Sequence, residues 1–124
     1  MPNMKPSELR IGNLVDLGNR IAKVTEINHL ACVVVDLEET QDTIEDYERT
    51  KPIPLTEEWL LKFGFDRNIV EGYPIFQNKV LMIEYYEDCS DVYVSDYCKI
   101  STKYIHQLQN LYFALTGEEL ILNI

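Results

Sequence analysis

The stretch that decides the fold class reads YIHQLQNLYFAL and occupies residues 104–115. Its apolar side chains recur at intervals of three and four residues, the period of a helix that packs one face on a neighbouring layer. We predict an α-helix that begins at Thr102 or Lys103 and ends before Gly117. The stripe expected to cover a β-sheet consists of Tyr104, Ile105, Leu108, Leu111, Tyr112 and Leu115.

The segment before this helix has the pattern of an antiparallel meander. Runs of apolar and aromatic residues alternate there with short polar connections. The expected strands cover residues 73–76, 79–86 and 92–98. A turn is expected at 66–68, and the apolar tail at 118–124 is expected to pack as a last strand.

Thr56 marks the start of a first, shorter helix. Its hydroxyl can cap the free amides of the first turn, and Glu57 and Glu58 favour the positive end of the helix. Gly64 is expected to end the helix after about two turns. The buried stripe is expected to contain Trp59, Leu60 and Phe63.

The N-terminal half reads as short strands. Gly18 and Asn19 suit a two-residue hairpin turn, and a second turn is expected at Asn28 and His29. The alternation of apolar residues slips between Val24 and Ile27, which predicts a β-bulge. The expected strands lie at 13–17, 20–27 and 31–37, and a solvated acidic loop at 36–48 leads to a short strand or turn at 44–47.

These elements predict an α+β fold. Residues 1–55 are expected to form an SH3-like subdomain, a small and strongly curled β-barrel that begins near residue 8. Residues 56–124 are expected to form an antiparallel β-meander that carries both helices on one face. The boundary at 55 has no flexible linker, so we expect one compact unit.

The charge balance excludes several function classes. The chain has 21 acidic and 11 basic residues and a net charge of −10. Direct nucleic acid binding is not expected, because neutralising phosphates requires clustered Lys and Arg. The apolar runs are far shorter than the ~20 residues of a membrane span. The N-terminus lacks the apolar stretch of a secretion signal, so we expect a cytoplasmic protein without a membrane partner.

The three cysteines, Cys32, Cys89 and Cys98, support the same localisation. An odd number without a short CxxC spacing is not typical of a disulfide framework or a zinc site. We expect buried free thiols.

The sequence offers little for catalysis. His29 is expected in a turn and His106 on the polar side of the second helix, where nothing marks either as a general base. The glycines all stand at turns or helix ends, so no phosphate-binding loop is present. The acidic segments 36–48 and 84–96 lack the spacing of a calcium loop. We therefore expect no catalytic residues, no cofactor and no metal, and a protein that is not an enzyme.

Two surfaces are candidates for binding a protein partner. The first is the polar side of the second helix, which is uncharged and therefore resembles an interface core; it contains His106, Gln107, Gln109 and Asn110. The second is a group of tyrosines on adjacent strands, Tyr85, Tyr86, Tyr93 and Tyr97. Tyrosine gives large contact area at low entropic cost. The alternative for these tyrosines is cross-strand packing beneath the helix.

The function hypothesis that follows is a non-enzymatic protein–protein interaction or accessory module. The alternative is an acidic inhibitor that mimics nucleic acid and occupies a DNA-binding enzyme. A mimic of one helical turn needs carboxylates arrayed over roughly 30 Å. Because basic residues interrupt the second acidic segment, we expect the segments 36–48 and 84–96 to lie on different faces.

Three motifs carry a resemblance to a known family. They read LRIGN at 9–13, PIPLTEEWLLKFGF at 52–65 and YIHQLQNLYFALTGEEL at 104–120. Together they resemble a family of small uncharacterised proteins encoded in gut bacterial genomes, often in phage or mobile-element regions. The family carries no assigned activity and no catalytic residues. The resemblance therefore implies the domain plan and an origin in phage or mobile elements, and it implies no chemistry.

Overall fold

The fold of the chain is α+β. The structure, a computed structural model, describes residues 8–18, 20–27, 31–36, 42–87, 89–95 and 98–122. The elements described are β1 (Leu14–Asp16), β2 (Ile21–Ile27), β3 (Ala31–Asp36), β4 (Asp42–Asp46), a 3₁₀ turn (Tyr47–Arg49), α1 (Glu57–Lys62), β5 (Asp66–Val70), β6 (Tyr73–Gln77), β7 (Met82–Tyr85), β8 (Ser90–Ser95), β9 (Cys98–Thr102) and α2 (Ile105–Thr116). Within the described segments neither helix has the length and apolar character that crossing a membrane requires.

The chain divides into two compact units. The first extends to Ile53 and includes Tyr104–Leu111 of the C-terminal region, and the second comprises Pro54–Lys103 and the residues from Tyr112 onward. The expected boundary at 55 therefore lies close to the observed one. The start of α2 was expected with residues 56–124 and instead belongs to the first unit, because its polar side chains hydrogen-bond to the segment before β1.

The first unit contains a four-stranded antiparallel sheet in the order β1-β2-β3-β4. The register between β2 and β3 shifts between Val24 and Glu26, which confirms the predicted bulge. An extra residue in one strand restores the burial of the apolar side chains on either side of it. The core of this sheet contains Leu9, Val15, Ala22 and Val24.

The end of this sheet differs from the expectation in one detail. The strand expected at 44–47 is β4, which begins at Asp42, and a 3₁₀ turn follows it. Lys51 then pairs with Asp16 of β1 through two backbone hydrogen bonds of 2.9 Å. The turn at Asn28 and His29 and residues 37–41 of the acidic loop lie outside the described residues.

The second unit begins with α1. The hydroxyl of Thr56 accepts a hydrogen bond of 3.3 Å from the amide of Trp59, which confirms the predicted cap. Leu60 and Phe63 are buried, and Trp59 is only half-buried. Gly64 follows the helix with a φ of 84°, a conformation that a glycine adopts without strain.

The sheet of the second unit has five antiparallel strands in the order β5-β6-β7-β8-β9, and two of them were not expected. The expected turn at 66–68 lies in β5, so that prediction was wrong. The sequence of β5 does not alternate between apolar and polar residues, because every residue of this edge strand is exposed. Glu71 and Gly72 connect β5 to β6 with φ values of 53° and 84°, the positive values that a tight hairpin turn requires.

The strand expected at 92–98 is divided between β8 and β9. Cys98 begins β9 and is exposed, and Cys89 is half-buried, so the expected burial of these thiols was wrong. A cross-strand row of Phe76, Ile83 and Val92 forms the buried face of the sheet.

The C-terminal helix α2 begins at Ile105, two or three residues later than predicted. Ile105 and Leu108 are buried as expected, but Leu115 is 49% exposed, so its place in the buried stripe was wrong. The tail also differs, since residues 118–122 form no strand. Among residues 118–122, Leu120 is the buried one, and Ile121 is 73% exposed.

Candidate functional site

The helix surface expected to bind a partner is mostly an internal contact. Of its four residues, His106 and Gln109 are each only 3% exposed and Asn110 is half-buried. Gln107 is exposed, and its side-chain oxygen accepts a hydrogen bond of 3.1 Å from the amide of Tyr104 at the start of the helix. Gln107 is therefore the one exposed member of the predicted strip.

The amides of this helix instead hold the segment before β1, in an arrangement we call the helix clasp (Arg10, Asn13, Gln109 and Asn110). Gln109 Oε1 accepts hydrogen bonds from the amide of Leu14 at 2.9 Å and from Asn13 Nδ2 at 3.4 Å. Gln109 Nε2 donates to the carbonyl of Gly12 at 3.3 Å. Buried amides need such partners, and the clasp adds these bonds to the backbone hydrogen bonds that Gly12 and Asn13 make with Val24 of β2.

Asn110 completes the clasp. Its Oδ1 accepts from Asn13 Nδ2 at 2.8 Å and from Arg10 Nε at 3.2 Å, and its Nδ2 donates to the carbonyl of Glu8 at 3.2 Å. The side chains of Gln109 and Asn110 thus provide hydrogen-bond partners for polar groups of residues 8–14 within the first unit. Their role is structural.

His106 is buried beside the clasp. Its ring stacks on Tyr104 with centroids 5.9 Å apart, and its Nδ1 has no hydrogen-bond partner. Burial lowers the pKa of the imidazole, and the nearby Glu8 carboxylate opposes this effect. The side chain is therefore a neutral, packed ring.

The predicted tyrosine group divides between the two faces of the second sheet. Tyr85 lies on the same face as Ile83, and its ring meets Phe76 edge to face with centroids 6.2 Å apart. Burial is the main cause that raises the pKa of its hydroxyl. Cross-strand packing, the alternative weighed for the tyrosines, therefore describes Tyr85. Tyr97 lies outside the described residues.

Tyr86 and Tyr93 lie on the opposite, open face and converge on one carboxylate. The hydroxyl of Tyr86 donates to Glu84 Oε2 and that of Tyr93 donates to Glu84 Oε1, each at 2.7 Å. Tyr73 approaches Tyr86 with centroids 6.4 Å apart and planes inclined at 59°. With Met82, which lies opposite Tyr93 in the register, these residues form what we call the tyrosine face (Tyr73, Met82, Glu84, Tyr86 and Tyr93).

The tyrosine face carries one negative charge on Glu84. The hydrogen bond from Tyr86 and then that from Tyr93 lower the pKa of the Glu84 carboxyl. The same bonds raise the pKa of Tyr86 to about 12 and raise the pKa of Tyr93. At neutral pH the carboxylate is therefore ionised and both phenols are neutral donors.

A pocket of about 420 Å³ adjoins the tyrosine face at the β6–β7 turn. Glu84, Tyr93, Met82 and Val80 line it, together with Lys79. Asn78 shapes its rim, because its side-chain oxygen accepts from the amides of Val80 and Leu81 at 2.8 Å each. The pocket therefore has a mixed lining, in which the apolar side chains of Val80 and Met82 lie beside polar groups and the carboxylate of Glu84.

Three members of the tyrosine face were not selected as site residues from the sequence. Two of them, Met82 and Glu84, alternate with the selected Tyr86 along one strand and its end, which is a signal that a strict two-residue period could have found. Tyr73 lies on a different strand, and only the register of β6 brings it near Tyr86.

Two carboxylates of this sheet, Glu84 and Asp91, already have partners. In the residues that the structure describes, no group of three or more His, Cys, Asp or Glu side chains could hold a metal ion. The carboxylate of Asp91 lies 3.4 Å from the ammonium of Lys99, and Glu84 is held by two tyrosines. Comparison with protein-family models, with curated proteins and with solved structures finds no match for the chain.

Proposed function

We propose that the protein is a non-enzymatic interaction module that binds a protein partner through the tyrosine face. One observation carries the proposal: two tyrosine hydroxyls are fixed on one carboxylate while the aromatic side chains around them stay open to solvent. Tyr73 is 58% exposed and Tyr86 is 39% exposed. A side chain that is already ordered loses less entropy on binding, so this face is prepared for a contact.

The composition of the face supports the same proposal. Tyrosine is enriched among the residues that dominate binding energy at protein interfaces. Met82, Val80 and Val70 add exposed apolar side chains on or near this side of the sheet. Exposed apolar groups that lie together and are rimmed by polar residues are typical of interaction sites.

The alternative of a nucleic-acid mimic ranks below this proposal. A mimic needs free carboxylates in an extended array. Glu84 accepts two phenol hydrogen bonds and Asp91 is paired with Lys99, so two carboxylates of the 84–96 segment already have partners. Residues 37–41 of the 36–48 segment lie outside the described residues, so the prediction that the two segments occupy different faces stays a prediction.

We also propose that the first unit has an SH3-like barrel topology. In support, β1 to β4 form a meander, a 3₁₀ turn follows β4, and Lys51 after that turn pairs with Asp16 of β1. A chain that returns from the fourth strand to the first is the step that closes such a barrel. An accessory role in phage or mobile elements is part of the same proposal and rests on the motif resemblance.

The test of the binding proposal is a capture experiment with matched variants. Wild-type protein, the double variant Tyr86→Ser with Tyr93→Ser, and the control Gln107→Ala are immobilised and exposed to lysate of the bacterium that carries the gene. We expect one partner to be retained by wild type and by Gln107→Ala and lost with the double variant. The recovered partner is then purified and its affinity measured by calorimetry.

Retention of that partner by the folded double variant would contradict the proposal. The fold of each variant is checked by circular dichroism, since the two tyrosines are solvent-accessible and their replacement leaves the buried row of the sheet intact. The control tests the helix surface predicted from the sequence, because Gln107 is its exposed member.

A further inference from the structure

The carboxylate at the centre of the tyrosine face has unused acceptor capacity. Each oxygen of Glu84 accepts one phenol hydroxyl, Oε2 from Tyr86 and Oε1 from Tyr93. An ionised carboxylate offers about four acceptor positions. About half of its capacity therefore remains, on a side chain whose orientation two hydrogen bonds already fix.

We propose that Glu84 binds the guanidinium group of an arginine from a protein partner. The ring of Tyr86 lies beside the guanidinium, and the methylene stem of the arginine occupies the pocket next to Glu84. This inference rests on the proposed function, since it names the chemistry of the partner at the same face.

Arginine matches the geometry of this site better than other cationic side chains. Its planar group donates two parallel hydrogen bonds to a carboxylate, and one free acceptor position on each oxygen suits that arrangement. The guanidinium also stacks on aromatic rings, of which Tyr86 and Tyr93 are hydrogen-bonded to this same carboxylate.

The pocket fits the stem of the same side chain. Val80, Met82 and Glu84 all line it, so an apolar chain can lie along the first two while its charged end reaches the third. Long basic side chains bury their methylene groups in this way and keep the charged head in a polar setting.

The charges around the site favour a cationic partner. The chain carries a net charge of −10, so it attracts a basic segment of a partner over long range. Two lysines oppose it locally. Lys99 is paired with Asp91, whereas Lys79 lines the pocket and would repel an incoming cation. Removing the charge of Lys79 should therefore strengthen binding of the arginine, whereas removing the charge of Glu84 should weaken it. The two substitutions thus test the proposal with opposite expected effects on affinity.

The experiment is a nuclear magnetic resonance titration of the full ¹⁵N-labelled chain with a synthetic peptide. The probe is acetyl-Gly-Ser-Arg-Ser-Gly-amide, and the matched probes carry lysine or the uncharged isostere citrulline in place of arginine. We expect the arginine peptide to shift the amide signals of β7 and β8 and the ring signals of Tyr86 and Tyr93. The lysine peptide should bind more weakly and the citrulline peptide should give no localised shift.

Variants locate the interaction. Glu84→Gln should weaken binding of the arginine peptide about fivefold, as loss of an exposed charge pair predicts. Tyr86→Leu should weaken it about two- to fivefold, and Lys79→Gln should tighten it. Glu118→Gln is the control, because it makes the same change in net charge at an exposed residue of the C-terminal tail.

Three results would overturn the inference: equal effects of Glu84→Gln and Glu118→Gln, equal binding of the citrulline and arginine peptides, or shifts spread evenly over the acidic residues. Its failure can be told apart from failure of the proposed function. If the arginine peptide does not bind but the captured partner is still lost with the tyrosine variant, the face binds proteins by other chemistry. If the peptide binds at Glu84 while the captured partner is retained, the proposed function fails and the arginine site stands.

Discussion

Replacing Gln109 with alanine should destabilise the first unit through the helix clasp. The side chain is 3% exposed and makes three hydrogen bonds, to the amide of Leu14, to Asn13 Nδ2 and to the carbonyl of Gly12. The substitution leaves the buried amide of Leu14 and the partly buried carbonyl of Gly12 without these partners. Such a loss costs about 1–3 kcal/mol for each unsatisfied group, and we expect a total near 2–3 kcal/mol because the two longer bonds are weak.

The assay is amide hydrogen exchange combined with urea unfolding. The amide of Leu14 reports the clasp directly, and a cost of about 2–3 kcal/mol corresponds to exchange about 30- to 150-fold faster. The control is Gln77→Ala, an exposed glutamine on β6, which should change the free energy of unfolding by less than about 0.5 kcal/mol. If Gln109→Ala leaves the exchange rate of Leu14 unchanged, the clasp does not stabilise this segment and the reasoning is refuted.

Three further predictions follow from burial and from the pKa shifts. Leu108→Ala should cost about 2–5 kcal/mol of unfolding free energy in urea titrations, whereas Leu115→Ala should cost less than about 1 kcal/mol because that side chain is 49% exposed. The phenol of Tyr86 should ionise near its pKa of about 12 when followed by absorbance, and Glu84→Gln should bring that pKa back toward 10; an unchanged titration would contradict the hydrogen bond. Burial lowers the pKa of His106 below 6.5, so the unfolded chain binds more protons in acid than the folded chain does. The unfolding free energy should therefore fall as the pH drops through 6.5 toward the pKa of His106 in the folded state. The ring signals of His106 should titrate below 6.5, and a midpoint above 6.5 would contradict the buried, neutral ring.

Local signals in the sequence predicted the elements that local chemistry controls. The Thr56 cap and the bulge at Val24 depend on a few neighbouring residues, and the structure confirms both. The edge strands β5 and β9 were missed because most of their residues are exposed, so no burial period marks them. Their pairing depends on register with distant strands, which a single segment does not encode.

The helix α2 shows why the candidate site was only partly predictable. The absence of charge on one side of this helix led us to predict a surface for a partner protein, because interface cores are depleted of charge. It does not say whether the partner is another protein or the same chain. Gln109 and Asn110 contact Asn13, about a hundred residues earlier, and only the fold reveals that pairing. The tyrosines were also divided by the fold. The strand register places Tyr85 on the buried face of the second sheet and Tyr86 on its exposed face.

The motifs that carry the family resemblance account for the framework and not for the tyrosine face. LRIGN at 9–13 and the start of the 104–120 motif hold each other through the helix clasp, and the 52–65 motif contains the Thr56 cap and α1. The tyrosine face lies at residues 73–93, between the second and third motifs. Changes in residues 73–93 that spare the buried row would leave the clasp and the cap intact while altering the exposed surface. The framework and the proposed binding surface of this chain are therefore encoded by separate segments, which is the arrangement that lets one scaffold present different contacts.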